Sequence, residues 1–459
     1  MSQEGKRFLI AGAGTGAHWN AGDAAILAAM VKQLREIDPL AEVLVVSANP
    51  HGTLSSYGVT EVRYDDIPTL VSAARSADVL LLGGGGLFYD YWGFPADQLL
   101  TPNHAGLSFY TGFALLATLF AKPLAIYAAG VGPLQTEEGR RFTRVAFEQA
   151  DAITVRDRES KSVLIGLGIA AERINVAADP AYALPPSPAT HIDQLLDSAP
   201  AAPLLGVAIR EWTLDVDTES WQRELARSLD HFVDRHGGTV LFIPFHKTAG
   251  DVSDVEIAER VLGRMKQQQS ARVLSPEHTP QEISGIIGRC DVLVGMRLHS
   301  IIFARTHAVP FVAIGYDPKV QGALDGELKK FSIPLQELSM ERLDALLEET
   351  WSRRTAIKNA MIKEHPALTA DAAAHPAAIR ALLQRGGTTK VPGPETTALL
   401  TSAVVCQLAR VAELEQTVAR MRGEAEQREE AITWLQEEVR VRDAQIDAQR
   451  TVRSSLDDA

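Results

Sequence analysis

The chain has 459 residues, 46% of them hydrophobic and 22% charged, with a formal charge of −13. That length exceeds what one hydrophobic core usually organises, and the composition excludes a chain disordered throughout. The acidic balance argues against nucleic acid as a partner, because phosphate backbones are held by dense Lys/Arg surfaces, whereas a small anionic substrate needs only a few local cations or a helix N-terminus.

Cys290 and Cys406 are the two cysteines. They lie far apart, which argues against a disulfide framework or a zinc cluster and fits a reducing, cytoplasmic setting. The opening MSQEGKR runs directly into FLIAGAG with no signal-peptide pattern, and no uninterrupted apolar run reaches membrane-spanning length. A membrane-linked sugar would be reached from outside the bilayer.

From the N-terminus, short apolar runs alternate with helical patterns, as in a buried parallel sheet flanked by helices. Phe8–Gly12, Val43–Ser47, Val79–Gly83, Leu124–Ala129, Ala152–Val155 and Asn175–Ala177 form a six-strand candidate sheet. Gly12-x-Gly14-x-x-Ala17 formally matches a dinucleotide fingerprint, but the second strand ends in Ser47-Ala-Asn-Pro where a ribose-binding acid belongs, which counts against nicotinamide binding. Asn20-Ala-Gly22-Asp23 then opens an apolar helix, with Asp23 either its N-cap or a cleft residue that orients a sugar hydroxyl. Gly83-Gly84-Gly85-Gly86 ends a buried strand, where open α/β sheets bind ligands, and Gly130-Val-Gly132-Pro133 repeats the theme. The two loops predict a wall of exposed backbone amides.

The proline-rich stretch 185–203 reads as a linker between a first domain, 1–184, and a second, 204–385. The second has strand candidates Leu204–Arg210, Thr239–His246, Arg272–Leu274, Asp291–Gly295 and Phe311–Tyr316, and a helical region from about 341 to 385 closes it. Arg210 ends the first of these strands. Arg297 and His299 alternate along what reads as extended backbone and would point to one side, putting a fixed cation and an imidazole in one site. His246 follows a strand end and could line the same cleft. No clustering of Asp, Glu and His suggests a metal. Breakers mark a second linker at 386–396, and over 397–450 apolar residues recur at heptad spacing, among them Val411, Leu414, Val418, Met421, Ile432, Leu435 and Val439. This predicts a coiled coil with faults at Gly423, Arg428 and Arg442; the plainer alternative is a solvated amphipathic tail.

Over residues 6–350 the chain resembles the polysaccharide pyruvyl transferases. The resemblance rests on Asn20, Gly22-Asp23-x-Ala-Ile-Leu, Gly83-Gly84-Gly85 with Asp90, Gly130-Val-Gly132-Pro133, Arg156-Asp-Arg158-Glu-Ser160, Asp179-Pro180, Ile243-Pro-Phe-His246, Gly295-Met-Arg297-Leu-His299-Ser300, Phe303-Ala304, Pro310 and Tyr316-Asp-Pro-Lys319. Ala24 stands where the family often has Glu, and the heptad tail lies outside the match. The resemblance implies two Rossmann-like, doubly wound α/β domains in a glycosyltransferase B-type arrangement, with phosphoenolpyruvate as donor, a sugar or polysaccharide as acceptor and no cofactor. It implies that Arg297 and His299 bind and activate the donor, with Arg210 a second donor-binding arginine. Asp23 or Asp90 is the candidate base, and Gly84, Gly85, Gly132, His246, Ser300 and Lys319 complete the expected substrate contacts. A nucleotide-sugar glycosyltransferase and a non-catalytic glycan-binding scaffold are the alternatives.

Overall fold

The computed structural model describes residues 5–13, 19–48, 57–196, 203–247, 253–316, 324, 326–387 and 392–457. The chain divides into two compact units, Met1–Thr397 and Ala398–Ala459.

The first unit is built on two parallel sheets. Strands β1 (Arg7–Gly12), β3 (Glu42–Ser47), β4 (Thr60–Arg63), β5 (Val79–Phe88), β6 (Leu124–Val131), β7 (Ala152–Val155) and β8 (Ile174–Val176) lie in the order β4-β3-β1-β5-β6-β7-β8. Strands β9 (Leu204–Ala208), β10 (Thr239–Phe242), β12 (Ala271–Val273), β13 (Val292–Gly295), β14 (Phe311–Gly315) and β15 (Ser332–Pro334) lie in the order β12-β10-β9-β13-β14-β15. The central strands are buried on both faces because helices cover both, so they read as continuous apolar runs. Two edge strands escaped the sequence reading: β4 buries only Val62 of its four residues, and β15 is three residues ending in proline.

Helices α1 (Ala21–Ile37), α2 (Ile67–Ser76), α3 (Leu107–Leu119), α4 (Glu137–Glu148) and α5 (Arg158–Gly166) accompany the first sheet. They are followed by α6 (Ala189–Leu195), α7 (Thr218–His236), α8 (Asp254–Arg264), α9 (Pro280–Ile287), α10 (Leu298–Thr306), α11 (Met340–Ser352), α12 (Arg354–Ala372) and α13 (Ala374–Arg385). The expected linker 185–203 is not wholly irregular, since α6 forms within it and buries Ile192.

The expected strand Thr239–His246 stops at Phe242. Pro244 has no N–H to donate. The chain resumes as β11 (His246–Lys247), which pairs antiparallel with β2 (Trp19–Asn20), while the Ala21 N–H donates to the Phe245 carbonyl at 2.8 Å. Elements expected in separate domains are thereby hydrogen-bonded to each other.

Two helices make the same join by packing. Helix α1 is buried nearly all round. Its Ala21, Ala25 and Ala28 belong to the core of the second sheet, and its Ile26, Leu27 and Met30 to the core of the first. The small residues admit close approach on one side and the larger ones fill the other. Helix α13, expected to close the second domain, instead returns to the first sheet, where Ile379 and Leu382 join its core. His375 at its start is buried between Thr154 Oγ1, at 2.8 Å, and the Ala178 carbonyl, at 2.9 Å. The boundaries 1–184 and 204–385 therefore separate two sheets but not two independent cores.

The second unit is a single helix together with the end of the chain. Helix α14 spans Pro394–Asp457, and its first four residues lie before the unit boundary. Its heptad residues Val411, Leu414, Val418, Met421, Ile432, Leu435 and Val439 are exposed. By length and composition α14 also includes a stretch apolar enough to cross a membrane once two charges are tolerated, which the search for uninterrupted runs did not register.

Burial pushes the imidazoles of His104, His307 and His375 below the ordinary histidine range. Each is harder to protonate folded than unfolded, so below about pH 6.5 the unfolded chain binds more protons and stability falls with pH. Thermal melting should shift to lower temperature as pH falls from about 7 to about 5. The shift should be smaller in His375→Gln, which keeps hydrogen-bonding capacity without the titration.

Candidate active site

In open α/β sheets, ligands bind at the carboxyl edge where strand order reverses direction from a central pair. Those pairs are β1/β5 in the first sheet and β9/β13 in the second. The two edges share one polar cavity of about 160 Å³, lined by Asn20, Asp23 and Gly86 from the first and by Arg210, Arg297 and His299 from the second.

Asn20 caps α1: its side-chain oxygen accepts from the N–H groups of Gly22, at 2.8 Å, and Asp23. Asp23 is therefore not the cap. It sits in the first helical turn and lines the cavity. A Cβ at Gly22 would lie 2.0 Å from His299 Nδ1, and one at Gly85 would lie 3.0 Å from Asp23 Oδ1. Both glycines are explained by the catalytic candidates packed on them.

Arg297 and His299 do not alternate along a strand. Arg297 is the extended N-cap residue of α10, and His299 lies in the helix's first turn. Both still line the cavity. His299 Nε2 is 3.7 Å from Asp179 Oδ2, and Arg156 Nη1 is 3.5 Å from the same oxygen. Burial alone would raise the Asp179 carboxyl, but His299 and the Arg156 guanidinium outweigh it and hold the group well below the usual carboxylate range. Arg156 reaches this position across two glycines: a Cβ at Gly130 would lie 2.8 Å from its Nε, and one at Gly86 would lie 3.2 Å from Nη2.

Arg297 is buried and held bidentately by Asp254, the first residue of α8. Asp254 also accepts from the Phe245 N–H at 2.9 Å. Only the remaining edge of the Arg297 fork can meet a ligand. Arg210 differs. Among the described residues no carboxylate forms an ion pair with it; its guanidinium lies over the rings of Trp212, at 5.5 Å, and Tyr316, at 5.1 Å, and Nη1 is 3.3 Å from the Tyr316 hydroxyl.

Several expected contacts prove structural. Asp90 is buried and is not among the residues lining the cavity; it accepts from the Gln135 N–H at 2.6 Å, the Thr136 N–H at 2.8 Å and the Thr136 hydroxyl. It pins the segment leading into α4. Ser300 donates to the Arg297 carbonyl at 2.6 Å and is fully buried. Gly84 packs against Ile26, and the Gly132 N–H is taken by the Phe88 carbonyl at 2.7 Å. The run from Gly83 to Gly86 continues β5 and pairs with β6, so it is strand and not the loop expected. His246 pairs through its backbone with Asn20 in the β2/β11 ladder, and its neighbour Phe245 lines the cavity. Lys319, Gly14 and Ala17 lie outside the described residues. Sequence reasoning did not assign Arg156, Asp179 or Asp254 to the site; the first two stand in segments that carry the family resemblance, whereas Asp254 gave no local signal.

Residues 20–318, more than half the chain, match the family model described as polysaccharide pyruvyl transferase. A curated relative is the amylovoran biosynthesis protein AmsJ of Erwinia amylovora, 22% identical over 260 residues, which are 54% of this chain and 59% of AmsJ. The chain thus spans less than two thirds of that relative. Among solved structures, the UDP-GlcNAc 2-epimerase from Neisseria meningitidis bound to UDP-GlcNAc superposes with a TM-score of 0.55 at 10% identity, over 83% of this chain and 100% of that one. HepE from Anabaena in complex with UDP and glucose also gives 0.55, at 13% identity and the same coverage. These likenesses establish the two-sheet, glycosyltransferase B-type fold.

Removing one partner of a buried ion pair leaves the other charge uncompensated. Asp254→Ala should therefore lower unfolding free energy in urea by roughly 3–5 kcal/mol. Asp254→Asn, which can still accept from the Phe245 N–H, should lose less.

Proposed function

We propose that this chain, which belongs to the polysaccharide pyruvyl transferase family, transfers the pyruvyl group of phosphoenolpyruvate to a pair of sugar hydroxyls and releases phosphate. The observation that carries this reading is the composition of the cavity: three guanidiniums, of Arg156, Arg210 and Arg297, beside one imidazole and the Asp23 carboxylate. Asp254 and Asp179 form ion pairs with Arg297 and Arg156, whereas no ion pair to Arg210 is present among the described residues. A donor with a carboxylate and a phosphate supplies the missing negative charge and suits planar guanidinium forks.

The reaction balances as follows. His299 gives a proton to the methylene carbon of the donor, which becomes the methyl group, as the adjacent carbon becomes electrophilic. A sugar hydroxyl attacks that carbon and loses its proton to Asp23. The C–O bond to phosphate breaks, the second hydroxyl closes the ketal, its proton leaves with the phosphate, and the proton taken by Asp23 returns to His299 through solvent. The arginines hold the departing anion. Asp23 is the base in this scheme because it lines the same cavity as His299 and Arg210.

The exposed heptad face of α14 pairs with a second copy in this reading. Each core arginine is flanked on its own helix by two acids, Glu424 and Glu429 around Arg428, and Glu438 and Asp443 around Arg442. In a parallel, in-register pair each arginine faces its own copy, a like-charge contact that these flanking acids offset. Cleavage within 386–394 followed by sizing should reduce the number of copies per particle; an unchanged number rules the pairing out.

Phosphate release from phosphoenolpyruvate, measured with β-linked galactoside, glucoside and mannosaminide acceptors, tests the reaction. His299→Ala should lower kcat roughly 10²–10⁴-fold with donor affinity largely kept, as for loss of a positioned acid. Arg210→Ala should raise the donor KM instead. Undiminished turnover in His299→Ala would remove the assignment. No release, with a nucleotide sugar raising thermal stability, would favour the glycosyltransferase alternative.

A further inference from the structure

A cavity of about 160 Å³ is smaller than the roughly 300–1,000 Å³ of pockets that enclose a whole drug-sized ligand. It suits a small anion but not a small anion and a sugar ring together. The acceptor therefore lies at the rim, and the rim is aromatic. Tyr89, Tyr91 and Trp92 from the segment after β5, and the buried Tyr316 after β14, line the cavity, and Trp92 is the exposed member of the four. Tyr89 stacks on Tyr91 at 4.8 Å, Tyr91 meets Trp92 at 5.5 Å, and Trp92 meets Trp212 at 6.0 Å and 72°. Trp212 in turn packs on Tyr316 at 4.7 Å, beneath the Arg210 guanidinium.

Trp92 stands out because it is 56% exposed, while Trp212 is 7% exposed. Among the described residues of the first unit it is the one exposed aromatic side chain of the core-forming type. It is also held in place. The Gly93 N–H donates to the Asp90 carbonyl at 2.8 Å, closing a turn with Tyr91 and Trp92 at its tip, and Gly93 leaves the turn with a positive φ of 74° that glycine adopts readily. The Asp90 carboxylate anchors the base of the turn to Gln135 and Thr136. An indole fixed by contacts to Tyr91 and Trp212, and more than half exposed beside a charged cavity, offers a stacking surface.

Resting on the pyruvyl-transfer reading, we infer that Trp92, supported by Trp212, is the platform on which the acceptor sugar stacks. The acceptor class is a pyranoside with ring C–H bonds clustered on one face, such as a β-galactoside. That face covers the indole while the diol edge turns inward to Asp23 and His299. Asp90 is a positioning residue for the platform.

Kinetics and ligand-observed saturation-transfer NMR with methyl β-galactoside, β-glucoside and β-N-acetylmannosaminide test this on the full chain. Trp92→Ala should raise the acceptor KM about tenfold, the scale of one aromatic stacking contact, with the phosphoenolpyruvate KM unchanged. Trp92→Phe should recover most of the loss. In the wild-type protein, saturation should reach the ring hydrogens of one sugar face, and Trp92→Ala should abolish that transfer. An acceptor KM unaltered in Trp92→Ala, or an equal rise in both KM values, overturns the platform. If the wild-type protein releases no phosphate from phosphoenolpyruvate, the donor reading falls alone: face-selective saturation lost in Trp92→Ala still supports the platform, and no saturation of any glycoside overturns it.

Discussion

The Asp179 carboxylate is the point on which the site turns. It is buried, and it survives in charged form because the His299 imidazole and the Arg156 guanidinium both approach the same oxygen. Isolated in a low-dielectric interior it would take up a proton, and the imidazole and guanidinium would lose what orients them. A second buried carboxylate, Asp254, does the corresponding work for Arg297. Neither acid needs to touch a substrate. Each fixes a cationic group whose long or rotatable side chain would otherwise sample many positions, so the geometry is in place before a ligand arrives.

The glycines belong to the same arrangement. Gly22 makes room for His299, Gly85 for Asp23, and Gly86 and Gly130 for Arg156. Repeated glycine at strand ends marks close approach, and the sequence pattern states that requirement correctly while leaving open what approaches. A ligand's phosphate and a neighbouring side chain call for the same missing Cβ. Here the neighbour is the side chain, which is why Gly84 and Gly132 drop out as ligand contacts while the residues packed on Gly22 and Gly85 line the cavity.

Much of the fold was legible because buried parallel strands are continuous apolar runs, and only the polar edge strand β4 and the very short β15 escaped that signal. Arg210, Arg297, His299 and Asp23 were legible because each follows a strand end where two-sheet proteins place their chemistry. The Arg297–Asp254 pair was not. It joins the end of β13 to the start of α8, elements linked only by tertiary packing, and an aspartate at a helix start reads as ordinary helix-dipole chemistry. Asp90 failed for the opposite reason, since its place beside the glycine run suggested a ligand while its carboxylate serves three protein donors.

Helix α1 contributes residues to both cores, and α13 crosses back from the second half to complete the first. This has a bearing on how such proteins can diversify. Neither half is a module with a clean seam, so exchanging one sheet between relatives would replace half of the packing around α1 and strand α13 against a foreign surface. Recombination at the proline-rich 185–203 segment, inviting in sequence, would break both. Variation in what the protein accepts is more freely accommodated at the rim, where the Tyr91–Trp92 turn can change its aromatic tip while the buried carboxylates and the helix between the sheets stay as they are.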